Sequence, residues 1–161
     1  MGTVSPLVYA DQTAQLIQWF KYARQLALAS TLSALMRRRP PTFLTSKTVL
    51  LPVPSCPTRF RGRGFNPAAE LAVYLADSVG VNCELSVVQR RRGAVPQSSL
   101  KREAERHSNI RGAFKVQGCT PREVIIVDDV MTSGATTREL SRQLLAAGSE
   151  CIGIWVCART A

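Results

Sequence analysis

This chain is short of histidine, of paired cysteines and, beside its 21 bases, of acidic residues. His107 is the one histidine. It sits in a basic, polar stretch, where a solvated loop position is favoured over a general base. The five cysteines, Cys56, Cys83, Cys119, Cys151 and Cys157, include no Cys-x2-Cys pair. That spacing argues against a zinc site. Their odd number points to buried or free thiols and to no disulfides. Cys151 and Cys157 are evenly spaced in a strand pattern and belong on one face. Long apolar runs are missing as well. The uncharged stretch from Gln25 to Met36, between Arg24 and Arg37, is too short to span a bilayer. No basic segment followed by an apolar run opens the chain, so neither a signal peptide nor membrane insertion is expected, and the default location is cytoplasmic. Aromatics make up 6% of the residues, and Phe60 and Phe65 are the clear stacking candidates near arginines. There is no internal repeat and no low-complexity tract.

The 161 residues suffice for one domain with a full core, and 45% apolar content suits a globular α/β protein. Charge is the outstanding excess: 21 Lys and Arg against 11 acids, a net of +10. Residues 37–111 hold 14 basic and 5 acidic residues, whereas residues 112–161 balance at 5 and 5. Such a concentration attracts polyanions: diphosphate, nucleic acid or both. The alternative is a solvated basic face. Arg90, Arg91, Arg92, Lys101 and Arg102 are the candidates for contact with single-stranded DNA.

Residues 124–137, Val-Ile-Ile-Val-Asp-Asp-Val-Met-Thr-Ser-Gly-Ala-Thr-Thr, carry the clearest chemistry. Four branched apolar residues predict a strand buried on both faces, with Asp128 and Asp129 at its carboxyl end. A loop of small residues around Gly134 follows. A helix over 136–147, with Leu140, Leu144 and Leu145 on one face, then stops at Gly148. A glycine turn feeding a helix N-terminus gathers backbone N–H groups into a phosphate site, to which the Thr132, Ser133, Thr136 and Thr137 hydroxyls add donors. Carboxylates accept from sugar hydroxyls or hold Mg²⁺. Acids beside a phosphate cradle therefore suggest a phosphorylated sugar. The competing reading is an ordinary strand–helix turn of some other doubly wound protein.

Elsewhere the pattern predicts one long helix over 11–36, a short buried strand over 48–53 stopped by Pro52 and Pro54, and an Arg- and Gly-rich loop to Gly64. A helix capped by Asn66-Pro67 runs to Gly80, and strands follow at 83–89, 113–116 and 150–157. Residues 90–111 are polar and basic, with at most a short helix around 101–107. Strands alternating with helices imply a mostly parallel α/β sheet flanked by helices, with ligands at the strands' carboxyl ends. A second segment leaves a strand at that edge. Pro54 to Asn66 alternates Arg59, Arg61 and Arg63 with glycines, which suits phosphate oxygens or an ordinary surface turn.

The motif at 124–137 resembles the PRPP-binding motif of type I phosphoribosyltransferases (PRPP is 5-phosphoribosyl 1-diphosphate). Pro-Val-Pro, the Arg-x-Arg-x-Arg-Gly-Phe-Asn run, Lys21-Tyr22, Pro96-Gln97, Leu100, Arg106-x-x-Asn109 and Ala113-Phe114 resemble the ComF family, competence-associated proteins of that class. The likeness covers roughly residues 9–158. It implies a type I phosphoribosyltransferase-like fold in a single domain over 1–161. In it, Asp128 and Asp129 take the ribose hydroxyls and Mg²⁺ that arrives with PRPP. Thr132, Ser133, Gly134, Ala135 and Thr136 take the 5′-phosphate. Ser55, Arg59, Arg61 and Arg63 form the diphosphate loop. Residues 90–111, with Gln97, Arg106 and Asn109, correspond to a mobile loop, and the 11–36 helix is a candidate hood. Many members begin with a cysteine-rich zinc module that this sequence lacks, so it reads as a short variant or a truncated chain. Ser55-Cys56 stands where the family often has a histidine, and Cys56 receives no catalytic role.

The resemblance implies replacement of diphosphate at ribose C1 by an unidentified nitrogen acceptor, in a protein linked to DNA uptake. The rival is a non-catalytic, PRPP-regulated protein that binds single-stranded DNA. Either could work with a competence-machinery partner or as a homodimer.

Overall fold

The computed structural model describes residues 2–22, 25–91 and 110–160. Strands β1 (Thr3–Val4) and β2 (Leu7–Val8) open the chain, followed by helices α1 (Asp11–Tyr22) and α2 (Leu28–Arg37). Next come β3 (Val49–Pro52), α3 (Pro57–Arg63), α4 (Pro67–Val79), β4 (Asn82–Cys83) and β5 (Val88–Arg90). The chain continues with β6 (Phe114–Val116), β7 (Glu123–Met131), α5 (Ala135–Ala146) and β8 (Cys151–Arg159). A parallel sheet runs in the order β1-β8-β7-β3-β4, with β2 also on β8. β5 and β6 form a separate antiparallel pair.

The apolar run in β7 sets the layering. Ile125 and Val127 face a core built with α1, α2 and α4, through Ile17, Phe20, Leu32, Met36, Leu71 and Leu75. Val124 and Ile126 face a second core with Leu140 and Leu144 of α5 and with Val88 and Phe114. Successive side chains of a strand point to opposite faces, so a strand apolar at every position needs cover on both sides.

Several elements differ from expectation, each for a local reason. The long helix over 11–36 is two helices, α1 and α2, with the chain turning at Gln25–Ala27, where the Leu28 N–H donates to the Gln25 carbonyl. A straight helix of that length would reach about 39 Å, roughly the diameter of a domain this size. Broken in two, it lays both apolar stripes on one core. The strand over 83–89 divides into β4 and β5, because Glu84 accepts from the Ser86 N–H (2.9 Å) and hydroxyl (2.7 Å) and bends the chain between them. Pro57 to Arg63 is a helix, not a loop: Pro57 starts it and Gly64, at φ 85°, ends it. Pro52 lies inside β3, and the ladder continues to Val53, whose N–H donates to the Val127 carbonyl (2.9 Å). N–H groups alternate sides along a strand, so the missing donor of Pro52 faces the β4 side, where pairing has already ended at Leu50. The two-residue strands β1 and β2 had no sequence signal.

Cys157 is buried in the first core while Cys151, on the same face of β8, is exposed at the strand's start. Gly153 of β8 lies under the Phe43 ring, and a Cβ there would overlap it. Gly153→Ala should therefore lower unfolding free energy by about 1–3 kcal/mol, measured in urea. Gly62→Ala, with open space around it in α3, should instead be neutral or stabilising by up to about 1 kcal/mol.

Candidate phosphoribosyl site

The carboxyl ends of β3 and β7 open into a cavity of about 300 Å³. Asp128, Asp129, Thr132, Ser133, Gly134, Ala135 and Thr136 all line it, as do Ser55, Arg59 and Arg63. Lys21 and Tyr22, from the last turn of α1, complete one wall. The two motif segments and the N-terminal helix therefore meet at one point.

Local geometry explains how β7 delivers its acids. The β7–β8 register runs through Asp128↔Val156 and resumes at Val130↔Ala158, omitting Asp129. There the side chains take over from the neighbouring strand. Asp128 Oδ1 accepts the Asp129 N–H (2.9 Å), and Asp129 Oδ1 accepts the Val130 N–H (2.6 Å). The remaining Asp129 oxygen, Oδ2, pairs with Lys21 Nζ at 2.9 Å. Burial by itself works against the Lys21 charge, but Asp129 in contact and Asp128 beyond it outweigh that, and the ammonium pKa lies above its ordinary value. Burial first, then the neighbouring Asp129 charge, push the Asp128 carboxyl up to about 7.

Past the acids the chain turns at Gly134, φ 72°, into α5. The Gly134 carbonyl accepts from the Arg138 N–H (2.9 Å) and from the Thr137 hydroxyl (3.0 Å). Thr137 is thus buried and committed within the protein, and it is not an open ligand donor as the sequence suggested. Thr132 and Ser133 are exposed on the loop.

On the β3 side, Asn66 ties the pieces together. Its Oδ1 accepts the Ser55 hydroxyl (2.8 Å) and the Ala68 N–H (3.2 Å), and its Nδ2 donates to the Val53 carbonyl (3.0 Å). Ser55 lines the cavity, but its hydroxyl proton is directed to Asn66. The three arginines separate because α3 is helical: Arg59 and Arg63, four apart, share the cavity face, while Arg61 is exposed on another. Arg63 stacks over the Tyr22 ring at 4.8 Å.

Arg90 and Arg91 likewise part company. Arg90 sits opposite Phe114 in the β5–β6 pair, lies over that ring at 5.5 Å and lines the cavity, while Arg91 is exposed. Burial, the largest influence, lowers the Arg90 pKa, and its Nε is buried without a hydrogen-bond partner among the described residues. Arg90 thus faces the cavity and not the outer surface on which Arg91 lies. Cys56 is buried at the start of α3; burial raises its thiol pKa, but the Thr58 hydroxyl, the N–H groups of Thr58 and Arg59 and the Arg90 charge together lower it. Arg92, Gln97, Lys101, Arg102, Arg106, His107 and Asn109 lie outside the described residues. Lys21 and Arg90 are the site groups that sequence reasoning left without a place here. The Lys21-Tyr22 pair at the end of an apolar stripe was the one available signal.

Comparison with known proteins decides the family. Residues 61–161 match the phosphoribosyl transferase domain family. The chain is 32% identical to DNA utilization protein YhgH of Escherichia coli (strain K12), over 94% of this chain and 69% of that protein. It is 31% identical to Competence protein F of Haemophilus influenzae, again over 94% and 69%. The chain belongs to the ComF family. Its fold is the type I phosphoribosyltransferase fold: the allosteric regulatory enzyme of purine biosynthesis superposes with a TM-score of 0.54 at 18% identity, over 82% of this chain and 26% of that one.

Phosphoribosyltransferases generally use Mg²⁺ with PRPP. The ComF acid pair seen here is a poor direct seat for that ion. Both oxygens of Asp129 are engaged, one of them by an ammonium, and one oxygen of Asp128 accepts a backbone N–H. Among the described residues, no cluster of three or more His, Cys, Asp or Glu side chains is arranged to hold a metal. Nor is any described helix long and apolar enough to cross a membrane.

The Asp128 environment has a measurable consequence. Its folded-state pKa, about 7, lies above the ordinary value of 3.8. The neutral acid is therefore favoured by folding, and that stability is complete below pH 4 and lost as pH rises through 7. Wild type should lose stability between pH 5 and pH 8 relative to Asp128→Asn, by about 1–2 kcal/mol, since the open cavity screens part of the effect. Paired urea titrations of the two proteins at both pH values measure this.

Proposed function

We propose that this ComF-type chain binds PRPP in the cavity and transfers its phosphoribosyl group to a nitrogen acceptor, releasing diphosphate. One observation carries the reading: a glycine turn at a helix N-terminus, two acids and three arginines face a single cavity at the sheet's carboxyl edge. The turn at 132–136 suits the 5′-phosphate. Asp128 and Asp129 suit the ribose hydroxyls. Arg59, Arg63 and Arg90 suit the diphosphate.

In the reaction, the bond from ribose C1 to the diphosphate oxygen breaks as the nitrogen approaches, through an oxocarbenium-like state. The side chains have little covalent chemistry to perform. They fix the sugar, neutralise the departing diphosphate and displace water. The end of α1 is the candidate hood, since Lys21 and Tyr22 line the cavity beside the ribose acids.

The names of the relatives, DNA utilization and competence, support a link to DNA uptake. A second reading, a PRPP-regulated binder of single-stranded DNA, is favoured by the +9 balance of residues 37–111. Its described candidates are Arg37, Arg38, Arg39, Arg61 and Arg91, all exposed. Log affinity for a single strand should then fall with log salt by about 0.7 per phosphate contact. Arg61→Ala with Arg91→Ala should flatten that slope in fluorescence anisotropy, and Asp128→Asn should not.

Calorimetric titration with PRPP tests the main reading. Changing Asp128 and Asp129 together to Asn should weaken PRPP at least about 100-fold, since each charged hydrogen bond contributes about 1.5–3 kcal/mol. The circular dichroism spectrum should not change. Unaltered affinity would remove the acids from the site. Gly134→Val forces a branched residue into a left-handed backbone and should weaken ribose 5-phosphate and PRPP alike. A loss confined to PRPP would assign the loop to the diphosphate instead.

A further inference from the structure

Lys21 reaches the acid pair from a different element and pairs with one of its two carboxylates. Its Nζ lies 2.9 Å from Asp129 Oδ2, with the two side chains only 17% and 13% exposed. The contact does not depend on a loosely held side chain. Ile17 and Phe20, one turn and one residue before Lys21, are fully buried, and the Phe20 ring packs on Phe65 at a centroid distance of 5.7 Å. The last turn of α1 is therefore anchored in the core when it presents its ammonium to β7. The second Asp129 oxygen already accepts the Val130 N–H and keeps one lone pair for a further donor. A divalent ion on Asp129 Oδ2 would have to expel Lys21 from a partly buried ion pair, beside Lys21 it would meet a like charge, and Mg²⁺ sheds its own water reluctantly.

We propose that Lys21 is a built-in cation that stands in for the divalent metal at this acid pair, so that the site takes a 5-phosphorylated ribose with no metal bound to its acids. The inference rests on the phosphoribosyl reading of the cavity given above. An ammonium has three N–H donors, and Asp129 uses one. The others remain for oxygens of the sugar, while the carboxylates accept from its hydroxyls. Any metal that accompanies PRPP would then be held by the diphosphate alone.

Ribose 5-phosphate is the informative probe, because it offers the same hydroxyls and phosphate but no diphosphate to bring a metal in. Its affinity is measured by calorimetry in EDTA and in excess Mg²⁺ for wild type, Lys21→Met and Lys21→Arg. Wild type and Lys21→Arg should bind equally well in both buffers. Lys21→Met should lose about tenfold or more in EDTA, the loss expected for one charge-assisted hydrogen bond, and regain much of it in Mg²⁺. Mn²⁺ alone, followed by electron paramagnetic resonance, should bind Lys21→Met more tightly than wild type, a change that a merely structural lysine would not produce. Wild-type binding of ribose 5-phosphate that requires Mg²⁺ would overturn the inference and leave the phosphoribosyl reading intact. Absence of binding in both buffers would overturn the reading and the inference with it. The two wild-type arms decide the matter even if Lys21→Met fails to fold.

Discussion

Strand β7 has to be covered on both faces and left open at its end. Val124 to Val127 are all buried, with alternate residues in separate cores. Burying four such side chains contributes on the order of 1.5–3 kcal/mol each, and no single layer of helices could cover both faces. The N-terminal helices and α4 therefore take one side, and α5 with the β5–β6 pair takes the other. Because all strands of the main sheet are parallel, their carboxyl ends share one edge, and the loops leaving β3 and β7 meet there. The cavity follows from that layering.

The same strand then reverses its chemistry within one residue, from Val127 to Asp128. Two adjacent carboxylates under partial cover repel each other and lose hydration. The structure meets that cost locally. Backbone N–H groups of Asp129 and Val130 turn to the carboxylates, Lys21 supplies a full charge, and Arg90 adds a more distant one. The N-terminal helix is thus coupled electrostatically to the cavity that its last turn lines. Asn66 has a comparable part on the other side, holding the end of β3, Ser55 and the first turn of α4 in one hydrogen-bond set.

Much of this arrangement was legible in the sequence. Val124 to Val127 announced a strand buried on both faces, Asn66-Pro67 and Gly80 bounded α4, and Asp128 to Thr136 marked what became one wall of the cavity, because each is encoded within a few consecutive residues. The rest depends on contacts between distant segments. β1 and β2, two residues each, have no period to detect and exist only through pairing with β8. The break between α1 and α2 comes from the width of the domain, which the apolar stripe does not record. Arg61 and Arg63 looked equivalent until the α3 helix placed them on different faces, and Arg90 looked like the outer arginines until its pairing opposite Phe114 turned it inward. The Lys21–Asp129 pair joins the first helix to the seventh strand, and no spacing rule could have linked them.

A crystal soaked with ribose 5-phosphate tests the central claim most directly. The account predicts density in the cavity between β3 and β7. The phosphate should lie over the backbone N–H groups at the start of α5, and the sugar hydroxyls should lie within hydrogen-bond distance of Asp128 and Asp129. A phosphate seated on Arg59 and Arg63 with the Gly134 turn empty, or a sugar bound outside the cavity, would contradict it.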